Sequence, residues 1–182
     1  QCRSLKEDSQ RPLDLRPTAQ AENMSPPYQW SDAWILLATV YMGKQRPALL
    51  TDVIAAADYI NHAILTFEEM EGALARLTEG GFIVDHGGKL SPSWKTMTFY
   101  RSVTTPRRPV LKEKEDLQKL LGASDWNPSV LPKDANLGVS YPSLTRERFD
   151  QAVQDYLSMS STATKKKGRP AKASSGRSKT RR

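Results

Sequence analysis

Lys165-Lys166-Lys167-Gly168-Arg169-Pro170 is the stretch of this chain with the clearest chemical content. Closely spaced ammonium and guanidinium groups neutralise phosphates and release their counterions, which is the main source of affinity for nucleic acid. Gly168 permits a close backbone approach, and Pro170 favours an extended path. Arg177, Lys179, Arg181 and Arg182 follow as auxiliary phosphate contacts. Catalytic chemistry has no comparable foothold. The chain has two histidines, His62 and His86, and one cysteine, Cys2. It contains no HExxH, no CxxC, no phosphate-cradling glycine loop and no Gly-x-Ser-x-Gly. Adjacent carboxylates such as Glu68 and Glu69 read as a solvated helix surface. We therefore nominate no catalytic residue, no metal ligand and no cofactor, and read the chain as a binding protein rather than an enzyme.

The 165–170 run resembles an AT-hook, a motif with a Gly-Arg-Pro centre between basic residues. The resemblance implies that Arg169 lies along the narrow minor groove of A·T-rich DNA, where negative potential is greatest. The copy departs from the pattern: Lys167 stands where arginine is usual, and the later Gly176-Arg177 pair lacks proline. Nuclear targeting and general attraction of RNA or phosphate are alternatives for such a tail.

Mapping the charge sharpens the contrast. The net charge is +7, yet residues 161–182 hold nine bases and no acid. The preceding 160 residues hold 18 bases and 20 acids. Within 31–100 there are five bases against eight acids, so the part that reads as folded is poorly suited to phosphates.

The elements that must carry this tail follow from periodicity and caps. Ser31 reads as the N-cap of a helix over 32–42, apolar on nearly every face and ended by Gly43. Residues 46–50 read as extended. Thr51 reads as the cap of a helix over 52–61, with Val53, Ala56, Ala57 and Ile60 on one face. His62, four residues after Asp58, reads as a local ion pair or a charge at the helix end. Thr66-Phe67-Glu68-Glu69 reads as a capping box opening a third helix. That helix buries Phe67, Met70, Leu74 and Leu77 and exposes Glu68, Glu69, Glu71, Ala75, Arg76 and Glu79. Gly80-Gly81 ends it, and 82–90 reads as two short strands about the Gly87-Gly88 turn.

The order of helix, short strand, helix, helix and hairpin resembles the winged helix-turn-helix family over about 31–93. The segment Leu74-Ala75-Arg76-Leu77-Thr78-Glu79-Gly80-Gly81-Phe82-Ile83 and the ending Leu90-Ser91-Pro92 carry the likeness. The expected fold is mainly α with a small β-hairpin: a winged-helix domain, a helical extension and a disordered tail. In this family the third helix usually reads the major groove. Here its carboxylates would face phosphates, so no base-reading residue is carried over. The wing tip His86-Gly87-Gly88-Lys89 reads as a solvated hairpin or a phosphate contact.

The expected organisation is a disordered leader over 1–24, a winged-helix domain over 25–103, a helical extension over 104–160 and a disordered basic tail over 161–182. Residues 1–23 read either as an ordinary leader or as dispensable. In the extension, 111–121 reads as a helix stopped by Gly122. Residues 125–142 read as irregular, with Trp126 and Leu131 docking on the domain. Residues 145–159 read as a helix whose Phe149, Val153, Tyr156 and Leu157 face packs on its own domain or on a second copy as a homodimer.

A composition of 38% hydrophobic and 26% charged residues can bury one modest core. The longest apolar run, Ala33 to Met42, falls short of the roughly 20 residues a membrane span needs. With one cysteine no disulfide framework forms, so an intracellular setting is expected: nucleoid or cytoplasm in a bacterium, nucleus in a eukaryote. The favoured function is a DNA-associated regulatory or nucleoid-like protein, its tail on nucleic acid and its winged helix as scaffold. The alternative is a protein–protein adaptor using the acidic third helix, with the tail for targeting. An enzyme with an unrecognised site is a distant third.

Overall fold

An almost wholly apolar helix, α1 (Trp30–Gly43), is the hub on which α2 (Leu50–Asn61), α3 (Phe67–Glu79), α5 (Val110–Leu121) and β2 (Leu90–Pro92) pack. A computed structural model describes residues 28–125 and 137–167, with side chains described as far as residue 161. In chain order the elements are α1, α2, α3, β1 (Ile83–Asp85), β2, α4 (Trp94–Val103), α5 and α6 (Arg146–Lys167). The architecture is mainly helical with one small antiparallel sheet, as expected. The anticipated docking of Trp126 and Leu131 falls outside the described residues.

Burial explains why α1 is central. Ala33 through Ala38 and Val40 are all inaccessible to solvent, because α2, α3, α5 and β2 each cover part of its circumference. Trp34 still satisfies its indole N–H, donating to the Ala57 carbonyl at 2.7 Å. Ser31 is not the N-cap. The cap is Gln29, in extended conformation, whose backbone N–H donates to Asp32 Oδ2 at 2.9 Å. Ser31 is instead a buried residue inside the helix.

Asp32 has a second role that the sequence hides. Arg76 of α3, expected on the exposed face, is 1% exposed. Its Nε and Nη2 donate to Asp32 Oδ2 and Oδ1, each at 2.7 Å. The reason is geometric. Arg76 lies one residue from Leu77 and two from Leu74, at the edge of the buried stripe, and α1 offers a carboxylate where that edge meets it. A planar guanidinium matches a carboxylate in two parallel bonds.

The start of α2 also differs from expectation. Leu49, not Thr51, is the N-cap, and its N–H donates to Asp52 Oδ2 at 3.2 Å. His62 closes α2 in the left-handed region at φ 53°, with its N–H on the Asp58 carbonyl at 2.7 Å. Their contact is therefore through the backbone rather than an ion pair. The Thr66 capping box forms as read: Thr66 N–H donates to Glu69 Oε2 at 2.9 Å, and Glu69 N–H to Thr66 Oγ1 at 3.2 Å.

The hairpin pairs Ile83 with Pro92, Val84 with Ser91 and Asp85 with Leu90. Ala48, from the segment read as extended, bridges Leu90 with hydrogen bonds of 2.8 and 2.9 Å. A side chain at Gly43 would come within 2.8 Å of the Leu90 carbonyl oxygen, so glycine lets α1 end directly over β2.

Helix α4 was not anticipated. Ser93 caps it, Thr96 Oγ1 donates to the Phe82 carbonyl at 2.7 Å, and Tyr100 is buried. The helix over Val110–Leu121, ended by Gly122 at φ 62°, matches expectation. Its Glu113 is 6% exposed and accepts both the Tyr41 and Tyr100 hydroxyls at 2.8 Å, which joins α1, α4 and α5. Burial and that shared carboxylate push the Tyr100 phenol up to about 12.

Removing one partner of a fully buried ion pair strands the other and costs about 3–5 kcal/mol. Arg76→Met should lose that much stability in urea unfolding. Adding Asp32→Asn, which removes the stranded charge and keeps an oxygen for Gln29, should restore most of it. A loss below about 1 kcal/mol in the single variant would show that the pair is dispensable.

Candidate nucleic-acid interface

The basic residues nominated from the sequence begin in the last turn of α6 and continue beyond it in the chain. The helix was expected to end at Met159 and the tail to be disordered from 161. It instead continues through Lys167. Nothing between Met159 and Lys167 is glycine or proline, and lysines at a helix C-terminus complement the helix dipole. Lys165, Lys166 and Lys167 thus form the last turn of α6 as backbone. Their side chains, and all of Gly168, Arg169, Pro170, Arg177, Lys179, Arg181 and Arg182, lie outside the described residues.

The other end of α6 is anchored on α3, the β1–β2 hairpin and α2. Phe149 packs edge-on against Phe67 with ring centroids 5.9 Å apart. Arg146 lies over the same Phe67 ring at 4.3 Å and pairs with Glu68. At the hairpin turn, Arg148 Nη2 donates to the Gly88 carbonyl at 2.6 Å. Gly88 has φ +90°, and a side chain there would collide with the Arg148 guanidinium, so only glycine suits both the turn and the contact. Tyr141 donates to the Asp85 carboxylate, and Tyr156 donates to Asp58 of α2.

These contacts settle several placements. Phe149 and Ala152 are buried on the chain's own domain, so the Phe149 face packs intramolecularly, although Leu157 and Met159 stay exposed. Of the acidic positions on α3, Glu68 is paired with Arg146 and Glu69 holds the Thr66 cap. Glu79 is exposed at the far end. The hairpin residues His86 and Lys89 are exposed, and His86 Nε2 is 2.9 Å from Ser91 Oγ. Sequence reasoning found the hydrophobic face of α6 but missed Tyr141, Arg146 and Arg148, because their partners lie 56 to 78 residues away in the chain.

Electrostatics favour this docking near neutral pH. Burial acts to raise the Asp85 carboxyl. Hydrogen bonds from Tyr141, the Gly88 amide and Ser143, with the nearby Arg148 charge, outweigh burial and hold the carboxyl below its ordinary value. Tyr156 is shifted upward, first by its hydrogen bond to Asp58 and then by burial.

Among the described residues, no group of three His, Cys, Asp or Glu side chains is placed to hold a metal ion. No described helix is long and apolar enough to cross a membrane. Compared with protein-family models, with curated proteins and with solved structures, the chain matches none.

A carboxylate held below its ordinary value contributes stability above its unfolded pKa, about 3.9, and loses it as pH falls through the folded pKa. Amide hydrogen-exchange protection at 141–149 should therefore fall as pH drops below about 4. Tyr141→Phe should weaken that protection and move its loss to higher pH. Identical acid profiles for the two proteins would rule out the Tyr141–Asp85 contact as an anchor.

Proposed function

We propose that this chain is a nucleic-acid-associated protein, of a DNA-binding regulatory or nucleoid-like kind. Its basic C-terminal run makes the duplex contacts, and a winged-helix body serves as scaffold. The observation that carries the reading is the course of α6. Arg146, Arg148 and Phe149 tie its start to the first turn of α3 and to the wing, and the helix then runs unbroken to Lys167. Those cations are committed to contacts within the chain, and they cover the surface whose acidic character already disfavours phosphates. The basic run begins where α6 ends.

Support for a winged helix comes from the element order α1, extended Ala48, α2, α3 and hairpin, with Ala48 bridging β2 as a third, minimal strand. The adaptor alternative has less in its favour, because Arg146 and Phe149 occupy the first turn of the acidic third helix.

Binding to A·T-rich and G·C-rich duplexes, followed by fluorescence anisotropy, tests the proposal. In the full chain, Lys165→Gln, Lys166→Gln, Lys167→Gln and Arg169→Gln together should abolish most affinity. The slope of log affinity against log salt should flatten by about 3 to 4 if all four cations contact phosphate. Arg169→Gln alone should erase any A·T preference. Unchanged duplex affinity in the fourfold variant would remove the tail from the mechanism.

A further inference from the structure

α4 and the chain at the end of α1 enclose an open cleft of about 380 Å³. Lys44, Gln45, Met97, Tyr100, Arg101 and Thr104 line it. The lining holds two cations and no carboxylate. Behind it, Glu113 Oε2 accepts the Tyr100 hydroxyl inside the core. Lys44 and Arg101 are exposed, and neither pairs with an acid among the described residues.

Trp94, the first residue of α4, is 82% exposed, the most exposed large hydrophobic side chain described. It precedes Met97 by three residues and Arg101 by seven, a spacing that sets all three on one face of α4. A single exposed hydrophobic side chain is ordinary on a protein surface; what distinguishes Trp94 is that it shares a helix face with Met97 and Arg101 of the cleft. Among the described residues it has no aromatic neighbour of the kind that engages Trp30, which stacks on Trp34.

We infer that Trp94, Lys44 and Arg101 form a site for single-stranded nucleic acid, with a base stacked on Trp94 and the adjoining phosphates held by Lys44 and Arg101. Charge selects the class of ligand: two unpaired cations without a lining carboxylate favour a polyanion. The indole selects within that class. Bases in a duplex are already stacked on their neighbours, whereas those of a single strand have a free face. Aromatic rings flanked by cations are how single strands are gripped without regard to sequence. The site shares the nucleic-acid reading proposed above, but none of its residues belongs to the tail.

Intrinsic tryptophan fluorescence of the full chain, titrated with a short oligothymidylate, provides the test. Trp94→Phe should remove most of the quenching while keeping affinity, since phenylalanine also stacks. Trp94→Ala should weaken binding by roughly 5- to 100-fold, the range found for base–aromatic stacking. Lys44→Ala with Arg101→Ala should flatten the salt slope by about 1.4, two single-strand phosphates' worth. The fourfold tail variant should still show the Trp94 quench at saturating oligothymidylate, which separates this site from the tail. Quenching that persists in Trp94→Phe, or wild-type affinity in Trp94→Ala, would overturn the inference. So would loss of the quench in the tail variant, or a quench by polyglutamate but not by oligothymidylate, which would mark an acidic polypeptide as the ligand.

Discussion

Asp32 and Arg76, both shut off from water, set the geometry on which the rest of the structure depends. Asp32 accepts from the Gln29 backbone at the start of α1 and from two nitrogens of Arg76 on α3. One carboxylate thus fixes where the hub helix begins and how the third helix lies across it. An ion pair so placed offers little net gain over an apolar pair, because both charges give up their hydration. Its consequence is positional: a charge with no water must keep its partner, so α3 has few alternative registers on α1.

From that fixed crossing the remaining packing follows. The first turn of α3, the β1–β2 hairpin and α2 make a platform, and the segment from Tyr141 to Tyr156 lies along it through contacts to Asp85, Glu68, Gly88, Phe67 and Asp58. Several of these are charge-assisted hydrogen bonds at the protein surface, each modest alone, and they act together with the burial of Phe149 and Ala152. The result is a division of labour. The acidic side of the domain is engaged internally, and cations gather at two other places, the end of α6 and the α1–α4 cleft.

Elements governed by local rules were legible in the sequence. The Thr66 capping box, the glycine-ended helix over 110–121 and the hairpin about Gly87-Gly88 depend on residues a few positions apart. What was hidden is non-local. Ser31 looks like a cap, but Asp32 reaches back to Gln29 and makes the serine redundant. Arg76 carries a charge at the margin of a helical stripe, and only the facing α1 tells that it is buried. Helix α4 escaped notice because Trp94 and Lys95 sit at its exposed start and few apolar residues follow at regular spacing. The stretch after Met159 holds no apolar residue large enough to order it and so reads as disordered, whereas lysine charge at a helix C-terminus supports the helix that continues there. For the candidate site, composition located the basic run, but nothing in sequence could connect Lys44 to Arg101 across α1 and α4.

Lysine acetylation footprinting of the intact chain, with and without an A·T-rich duplex, addresses the central assignment most directly. The account predicts that duplex shields Lys165, Lys166, Lys167 and Lys172 while Lys89 on the wing reacts as before. Shielding of Lys89 with the four C-terminal lysines still reactive would contradict it, and would return duplex recognition to the third helix and wing.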